Sequence, residues 1–478
     1  MKVYHICSDS KPLLNRKQSS EMIKGIVKAS NHKGIETKII MPLYKSLKDS
    51  LKVTFLGSGF VEINGKDKYV GVNYYEEDGL EFYLIDNMEY FYNDQIMGLD
   101  NDGERFTYFD LAVLEAFRII DNYPDIIHLY DFTTGLIPHI LKSKYKYDDN
   151  YVNIRVILTI MDATNQGIYP IEMEQIFSFP TSTILYLDDK INFLKAGIVE
   201  ADIVTAISKT FYNDSKNKTL NLPLRFSLRD KDEDYVGILS GIDYDYYNPE
   251  KDSFIYEHYN VKTFEEGKAA NKKAFKKEVG FADTNCMLVG FSSDLNDEKG
   301  LDLLADTIES LIWSTDIMFF YIGEGEEKYT SHLYYLANKY PDQFKFYHGK
   351  SSELTHKLYA SCDMILQPYR YETFSQGQVV AMHYGAVPFV HEAGASKDYI
   401  IPFNQYTKEG NGFSFISDNR DDFLKVFDYA YGLYRFDYPT WKKLATRCMK
   451  EDFSWDSALE EYIKLYDKLI TINKYWHG

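Results

Sequence analysis

Twice along this chain a short apolar run, an amphipathic stretch and a second apolar run follow one another, and that alternation leaves few folds open. Residues 1–7 read as a strand, residues 20–31 as a helix with Met22, Ile23, Ile26 and Val27 on one side, and residues 36–41 as the next strand. Such a unit predicts a parallel sheet with helices on both faces. Residues 125–129 and 154–160 continue the pattern. It restarts after Pro249, with strands over 285–289, 317–322, 344–348, 364–367 and 387–390 and a helix over 300–311. A chain of 478 residues exceeds the size at which one core stops growing, so two domains are expected. Residues 50–98 differ. Their short alternating runs between Gly and Asn turns predict an antiparallel excursion. Residues 144–151 read as an exposed polar connection, and 454–472 as a terminal helix striped by Trp455, Leu459, Tyr462 and Leu465.

A net charge of -19, with no basic stripe to offset it, argues against a nucleic-acid partner but not against a neutral sugar. No apolar run approaches the roughly 18 residues of a membrane span. The four cysteines are far apart, and Cys7, Cys286 and Cys362 beside apolar runs read as buried thiols in a reducing compartment. The first residues enter a strand pattern directly, without a basic segment and apolar leader, so a cytoplasmic location is expected. The 42 tyrosines would suit stacking on sugar faces, although a count locates no site.

Several strings then narrow the reading. GILSGIDYDYYNP occupies residues 237–249 and GKAANK residues 267–272. PDIIHLYDFTTGL spans 124–136, INFLKAGIVEADIVTAISKTF 191–211, EKGLDLL 298–304, RYETFSQGQVVAMHYGAVP 370–388, and EDFSW 451–455. In this order the chain resembles, from residue 1 to about 469, the bacterial glycogen synthase and plant starch synthase family of retaining glucosyltransferases, glycosyltransferase family 5. The resemblance implies an α/β architecture of the GT-B kind: two facing Rossmann-like domains with an interdomain cleft and a C-terminal helix returning to the first. Residues 1–248 would form the acceptor-side domain, 249–453 the nucleotide-sugar side, and 454–478 the returning helix. It also implies ADP-glucose as donor, an α-1,4-glucan or maltooligosaccharide as partner, and neither metal nor cofactor. Association with another protein is a further expectation.

The resemblance assigns roles residue by residue. Glu372 matches an essential carboxylate near the donor sugar, Lys299 a phosphate-contacting lysine, and Asp131, in the acceptor-side loop, is a second catalytic candidate. Gly377, Gln378 and Gly394 fall in the donor loops, and Tyr130, Gln166 and Gly167 on the acceptor side. Other positions depart from the pattern. Asp294 stands where the family has an arginine partner to Lys299, which changes the local charge by two units. Thr133 replaces a histidine that positions the transferring sugar, and Tyr130 and Phe132 stand for a histidine and a tryptophan. Arg16 and Lys17 lie in the stretch 15–19, where the family has a Lys-Thr-Gly-Gly-Leu loop whose glycines let backbone N–H groups approach the ligand. His128, on the strand, reads as a packed histidine, and Lys195 as structural or cleft-lining. Three readings follow. The chain is a family member with weak or absent canonical transfer that retains glucan or partner binding, or an active transferase with another donor or acceptor, or an interaction scaffold.

Overall fold

The computed structural model describes residues 1–14, 18–220, 222–371 and 376–476. Contacts divide the chain into two compact units, Met1–Gly241 with Trp455–Gly478, and Ile242–Ser454.

The first unit is built on β1 (Lys2–Ile6), β2 (Glu36–Pro42), β3 (Thr54–Ile63), β4 (Lys66–Glu77), β5 (Leu80–Asp86), β6 (Ile126–Tyr130), β7 (Arg155–Ile160), β8 (Ile168–Pro170), β9 (Tyr186–Leu187), β10 (Lys190–Asn192), β11 (Ile203–Ala206) and β12 (Tyr235–Gly237). Nine of these form one sheet in the order β12-β11-β7-β6-β1-β2-β5-β4-β3, while β8, β10 and β9 make a small separate one. Strands β1, β6 and β7 are almost wholly buried, as the unbroken apolar runs require for a sheet covered on both faces. The antiparallel excursion is confined to β3 and β4. Strand β5 pairs parallel with β2 (Ile39 opposite Phe82), because most of LEFYLID is buried rather than alternately exposed. The order turns at β1 and β6: from β1 the chain steps to β2 on one side, and β6 continues to β7 on the other. A crevice at the carboxyl ends of such a strand pair is where α/β sheets present ligand-binding loops.

The second unit repeats the principle with β13 (Leu288–Ser292), β14 (Met318–Gly323), β15 (Phe344–His348), β16 (Met364–Gln367), β17 (Val387–His391) and β18 (Phe413–Phe415). Their order is β15-β14-β13-β16-β17-β18, all pairs parallel. Counted along the chain this is third, second, first, fourth, fifth, sixth, the arrangement of a dinucleotide-binding Rossmann sheet, with its switch point between β13 and β16. The strand expected over 285–289 begins three residues later. The Leu288 amide donates to buried Asp363 at 2.7 Å, whereas Asp283, Thr284 and Asn285 stay exposed.

The terminal helix Trp455–Trp476 belongs to the first unit. Its buried stripe is Trp455, Leu459, Tyr462, Tyr466 and Leu469, a run of four- and three-residue steps, and Leu465 lies beside it, half-buried. Opposite stands the helix Gln18–His32. Its one glycine, Gly25, costs that helix about 1 kcal/mol relative to alanine. A Cβ there would overlap the Trp455 indole, so the glycine makes the seat for the tryptophan. Residues 144–151 are mostly exposed, but Tyr151 is buried, with its hydroxyl donating to the Leu114 carbonyl at 2.8 Å and its ring stacked on Tyr145.

Candidate functional site

In the first unit, the carboxyl end of β6 leads into Asp131, whose φ of 56° and ψ of -166° lie where a residue with a Cβ is strained. The conformation is held from outside. Its Oδ1 accepts from the Met161 amide at 2.8 Å and from the Asp162 amide at 3.0 Å, both in the loop after the neighbouring β7. The aspartate thus ties together two loops at the same sheet edge. Thr133 and Thr134 follow in a short 3-10 turn, both buried, and the Thr134 hydroxyl accepts the Tyr130 amide at 3.1 Å. Thr133 offers only a short hydroxyl, 3.5 Å from the Tyr130 carbonyl.

Tyr130 is turned into the unit and its hydroxyl meets His5 Nδ1 at 2.7 Å. His128, two residues earlier, bonds Thr159 at 2.6 Å through Nε2 and the Tyr466 hydroxyl at 3.0 Å through Nδ1, and Thr159 reaches Thr205 at 2.7 Å. Burial pushes His5 down to about 3, and burial followed by repulsion from His5 holds His128 well below the usual imidazole range. Both rings are therefore neutral packing and hydrogen-bonding groups at physiological pH. Gln166 is likewise committed: its Oε1 accepts from Asn192 at 2.8 Å and its Nε2 donates to the Ala163 carbonyl at 3.1 Å. Gly167, at φ 62°, packs where a Cβ would overlap Phe132. These contacts seat the 161–167 loop on the start of the helix Phe193–Glu200, whose Lys195 donates to the Tyr186 carbonyl at 2.5 Å.

In the second unit, the loops after β13 and β16 converge at the switch point. After β13 comes the 3-10 turn Asp297–Lys299, capped by Asn296, whose Oδ1 accepts the Lys299 amide at 3.1 Å. Gly300 follows at φ 69°, and a Cβ there would drive into the Pro368 carbonyl. The close approach of the two loops sets the Lys299 ammonium 4.3 Å from the centre of the Tyr369 ring. Arg370 braces the same junction. It donates to Asp418 at 2.7 Å, to Asp302 at 2.5 Å and to the Asp297 carbonyl at 3.0 Å, and the hydrogen bonds to the two carboxylates hold its pKa above the ordinary arginine value.

Asp294, the second residue of the loop after β13, pairs with Lys350 at 2.9 Å, and that hydrogen bond raises the lysine's pKa. Gly377 and Gln378 begin the helix Gln376–His383. Gln378 is buried and accepts from Ser396 at 3.2 Å, which links this helix to the turn at Gly394, where φ is 54°. Glu372, Arg16 and Lys17 lie outside the described residues. Sequence reasoning missed Tyr369, Lys350 and Arg370. Arg370 opens the Glu372 string and Tyr369 directly precedes it, so both were open to notice. Lys350 follows β15 with no motif to mark it.

Comparison with known proteins gives a consistent picture. Residues 2–222 match the family model described as starch synthase catalytic domain, and residues 272–432 that of glycosyl transferases group 1. A glycogen synthase from Clostridium botulinum is 33% identical over 478 residues, covering 98% of this chain and 99% of that protein. One from Exiguobacterium sibiricum is 34% identical over 477 residues, covering 98% of both. Among solved structures, the catalytic domain of starch synthase IV from Arabidopsis thaliana, bound to ADP and acarbose, superposes with a TM-score of 0.86 at 24% identity over 98% of this chain and 99% of that one. A sucrose-phosphate synthase from Thermosynechococcus elongatus gives 0.62 at 12% identity, with 98% and 99% covered.

Proposed function

Given that the chain belongs to the glycogen and starch synthase family, with its GT-B fold, we propose that it binds α-glucan but performs the family's transfer from ADP-glucose only weakly. The observation that carries this reading is the Asp294–Lys350 pair, 2.9 Å long, between the loop after β13 and the segment after β15. A diphosphate bound without a metal needs cations and backbone N–H groups around it, and its leaving group gains negative charge during transfer. At Asp294 the chain instead presents a carboxylate, already occupying a nearby lysine. Two charges about 4 Å apart interact by roughly 4 kcal/mol at an effective dielectric near 20, and solvent at the half-exposed Asp294 reduces that towards about 1 kcal/mol. The Lys299 ammonium lies 4.3 Å from the centre of the Tyr369 ring, and Arg370 is engaged by two carboxylates.

The acceptor side supports the same reading. Where a histidine would reach a transferring sugar, Thr133 has a buried hydroxyl, and Tyr130 is turned inward to His5. Losing one preorganised contact of this kind lowers a rate by about 10² to 10³, and several losses need not multiply. Radiolabel incorporation from ADP-glucose into glycogen, against a canonical family member at equal concentration, is expected to be at least ~100-fold lower. Incorporation at a comparable rate would overturn the proposal. Calorimetry with maltooligosaccharides is expected to give saturable binding, since neutral sugars do not need the diphosphate contacts.

One observation favours a second reading, transfer with a different donor. Asp131 keeps a strained backbone that two amides hold in place, and such strain persists where a site uses it. Release of nucleoside diphosphate from another nucleotide-sugar, with maltooligosaccharide as acceptor, would select this reading over the first.

A further inference from the structure

A second pocket lies within the second unit, at the opposite end of its sheet. It has a volume of about 600 Å³ and is lined from the helix Phe264–Val279, the segment 283–285 that precedes β13, Asp363 just before β16, and Tyr434, Arg435 and Tyr438. The segments leading into β13 and β16 are the amino ends of those strands, whose carboxyl ends lead to Asp294 and Lys299 after β13 and to Tyr369 after β16. The pocket is therefore separate from the switch point. Its size suits a small solute of roughly monosaccharide-phosphate dimensions.

Its charge is unusual for this chain. Lys268, Lys272, Lys273, Lys276 and Arg435 face only three carboxylates, in a protein whose acidic residues outnumber its basic ones by 72 to 53. The four lysines lie within nine residues of one helix, and like charges four apart weaken a helix by about 0.2–0.5 kcal/mol per pair. Lys268 is buried, and its ammonium is held by the carbonyls of Tyr359 at 3.1 Å and Tyr384 at 2.9 Å rather than by a carboxylate. Lys272 bonds Asp363 at 2.6 Å and the Tyr434 hydroxyl at 3.2 Å, and the Tyr434 hydroxyl is itself hydrogen-bonded to Asp363, so the three groups form one polar cluster on the pocket wall. At the mouth, Lys273 pairs with Asp283 at 3.6 Å and Arg435 with Asp316 at 3.7 Å, all well exposed. Pairs so long and so wet contribute little, and an entering anion can take over their cations.

We propose that this pocket binds a small phosphorylated sugar, its phosphate received by Lys272, Lys273 and Arg435 and its ring set against Tyr434 and Tyr438. The proposal concerns a site apart from the switch-point loops and does not depend on the activity assigned to them.

Calorimetry on the full chain with ribose 5-phosphate, inorganic phosphate and glucose tests it, with ADP as a probe of the switch-point end. Ribose 5-phosphate is expected to bind saturably and inorganic phosphate more weakly, with no heat from glucose. The double variant Lys273→Glu, Arg435→Glu alters only exposed side chains and is expected to weaken ribose 5-phosphate at least tenfold while leaving ADP binding unchanged. If it fails to fold, Lys273→Gln with Arg435→Gln takes its place, and Lys299→Ala is expected to leave ribose 5-phosphate binding intact. Absence of saturable binding at millimolar concentration, binding indifferent to the mouth substitutions, or one-for-one competition with ADP would each overturn the assignment.

Discussion

Single residues decide whether this chain can handle a diphosphate, and Asp294 is where that can be measured. Asp294→Arg removes a negative charge and supplies a positive one at the end of β13, so ADP is expected to bind about tenfold more tightly, equivalent to ~1.4 kcal/mol, by calorimetry. Unchanged affinity would place the diphosphate away from this loop. His5 and His128 make a second claim at this scale. Their folded pKa values are depressed, so neutral imidazoles are stabilising above the ordinary value near 6.5. That contribution is lost as pH falls from about 6.5 towards 3, because the unfolded chain takes up protons that the folded one refuses. Burial of neutral His5 then costs about 2 kcal/mol at pH 5 relative to pH 7, and His128 acts in the same direction. Asp110, buried with its carboxyl pushed up by burial, works in the opposite sense. The informative quantity is therefore the difference between the parent and His5→Gln, whose amide can still meet Tyr130 without titrating. Urea midpoints of the variant should fall less steeply between pH 7 and 5. Parallel curves would show that His5 is protonated in the folded state.

Elements meet through contacts that a propensity scale would misjudge. Alanine normally improves a helix relative to glycine by up to about 1 kcal/mol. Gly25→Ala is nevertheless expected to destabilise the first unit by about 2 kcal/mol, because its methyl group occupies the seat of the Trp455 indole, a rigid buried ring unable to yield cheaply. Denaturant titration followed by indole fluorescence gives the sign directly, and stabilisation would mean that the terminal helix is seated elsewhere. At the other sheet, Gly300→Ala meets both a positive φ and the Pro368 carbonyl. It is expected to displace the turn that carries Lys299 and to weaken ADP binding more than Lys299→Ala alone does. An effect no larger than that of Lys299→Ala would indicate a turn able to relax.

For the whole molecule, the terminal helix joins the first unit although the second lies between them in the chain. The Tyr466 hydroxyl completes the hydrogen bonding of His128, and Trp455, Leu459 and Tyr462 bury apolar surface beside it. Removing residues 455–478 should leave a buried imidazole short of a partner and a strip of apolar surface open to water. Calorimetric melting is expected to show a lowered transition for the first unit while that of the second stays in place. Unchanged melting of both would mean that the helix contributes nothing to the first unit's stability.

The sequence by itself determined the alternation of buried strands and helices, because runs such as YHI and IIHLY can satisfy their apolar faces only inside a covered sheet. It also determined the family, since ordered strings across nearly the whole chain are not produced by burial alone, and it exposed the charge reversal at Asp294. Local pattern could not place β5, which rejoins the parallel array because it is buried on both sides. Nor could it choose Tyr466 over Leu465 for the terminal stripe, as both lie within a residue of the same helical face and only the partner surface, with His128 wanting a hydroxyl, separates them. The pairing of Asp294 with Lys350, the ring of Tyr369 beside Lys299 and the cationic pocket on the helix Phe264–Val279 likewise belong to the tertiary structure. Each joins residues tens to well over a hundred positions apart, and electrostatic and packing energies depend on distance in space, which a linear pattern does not record.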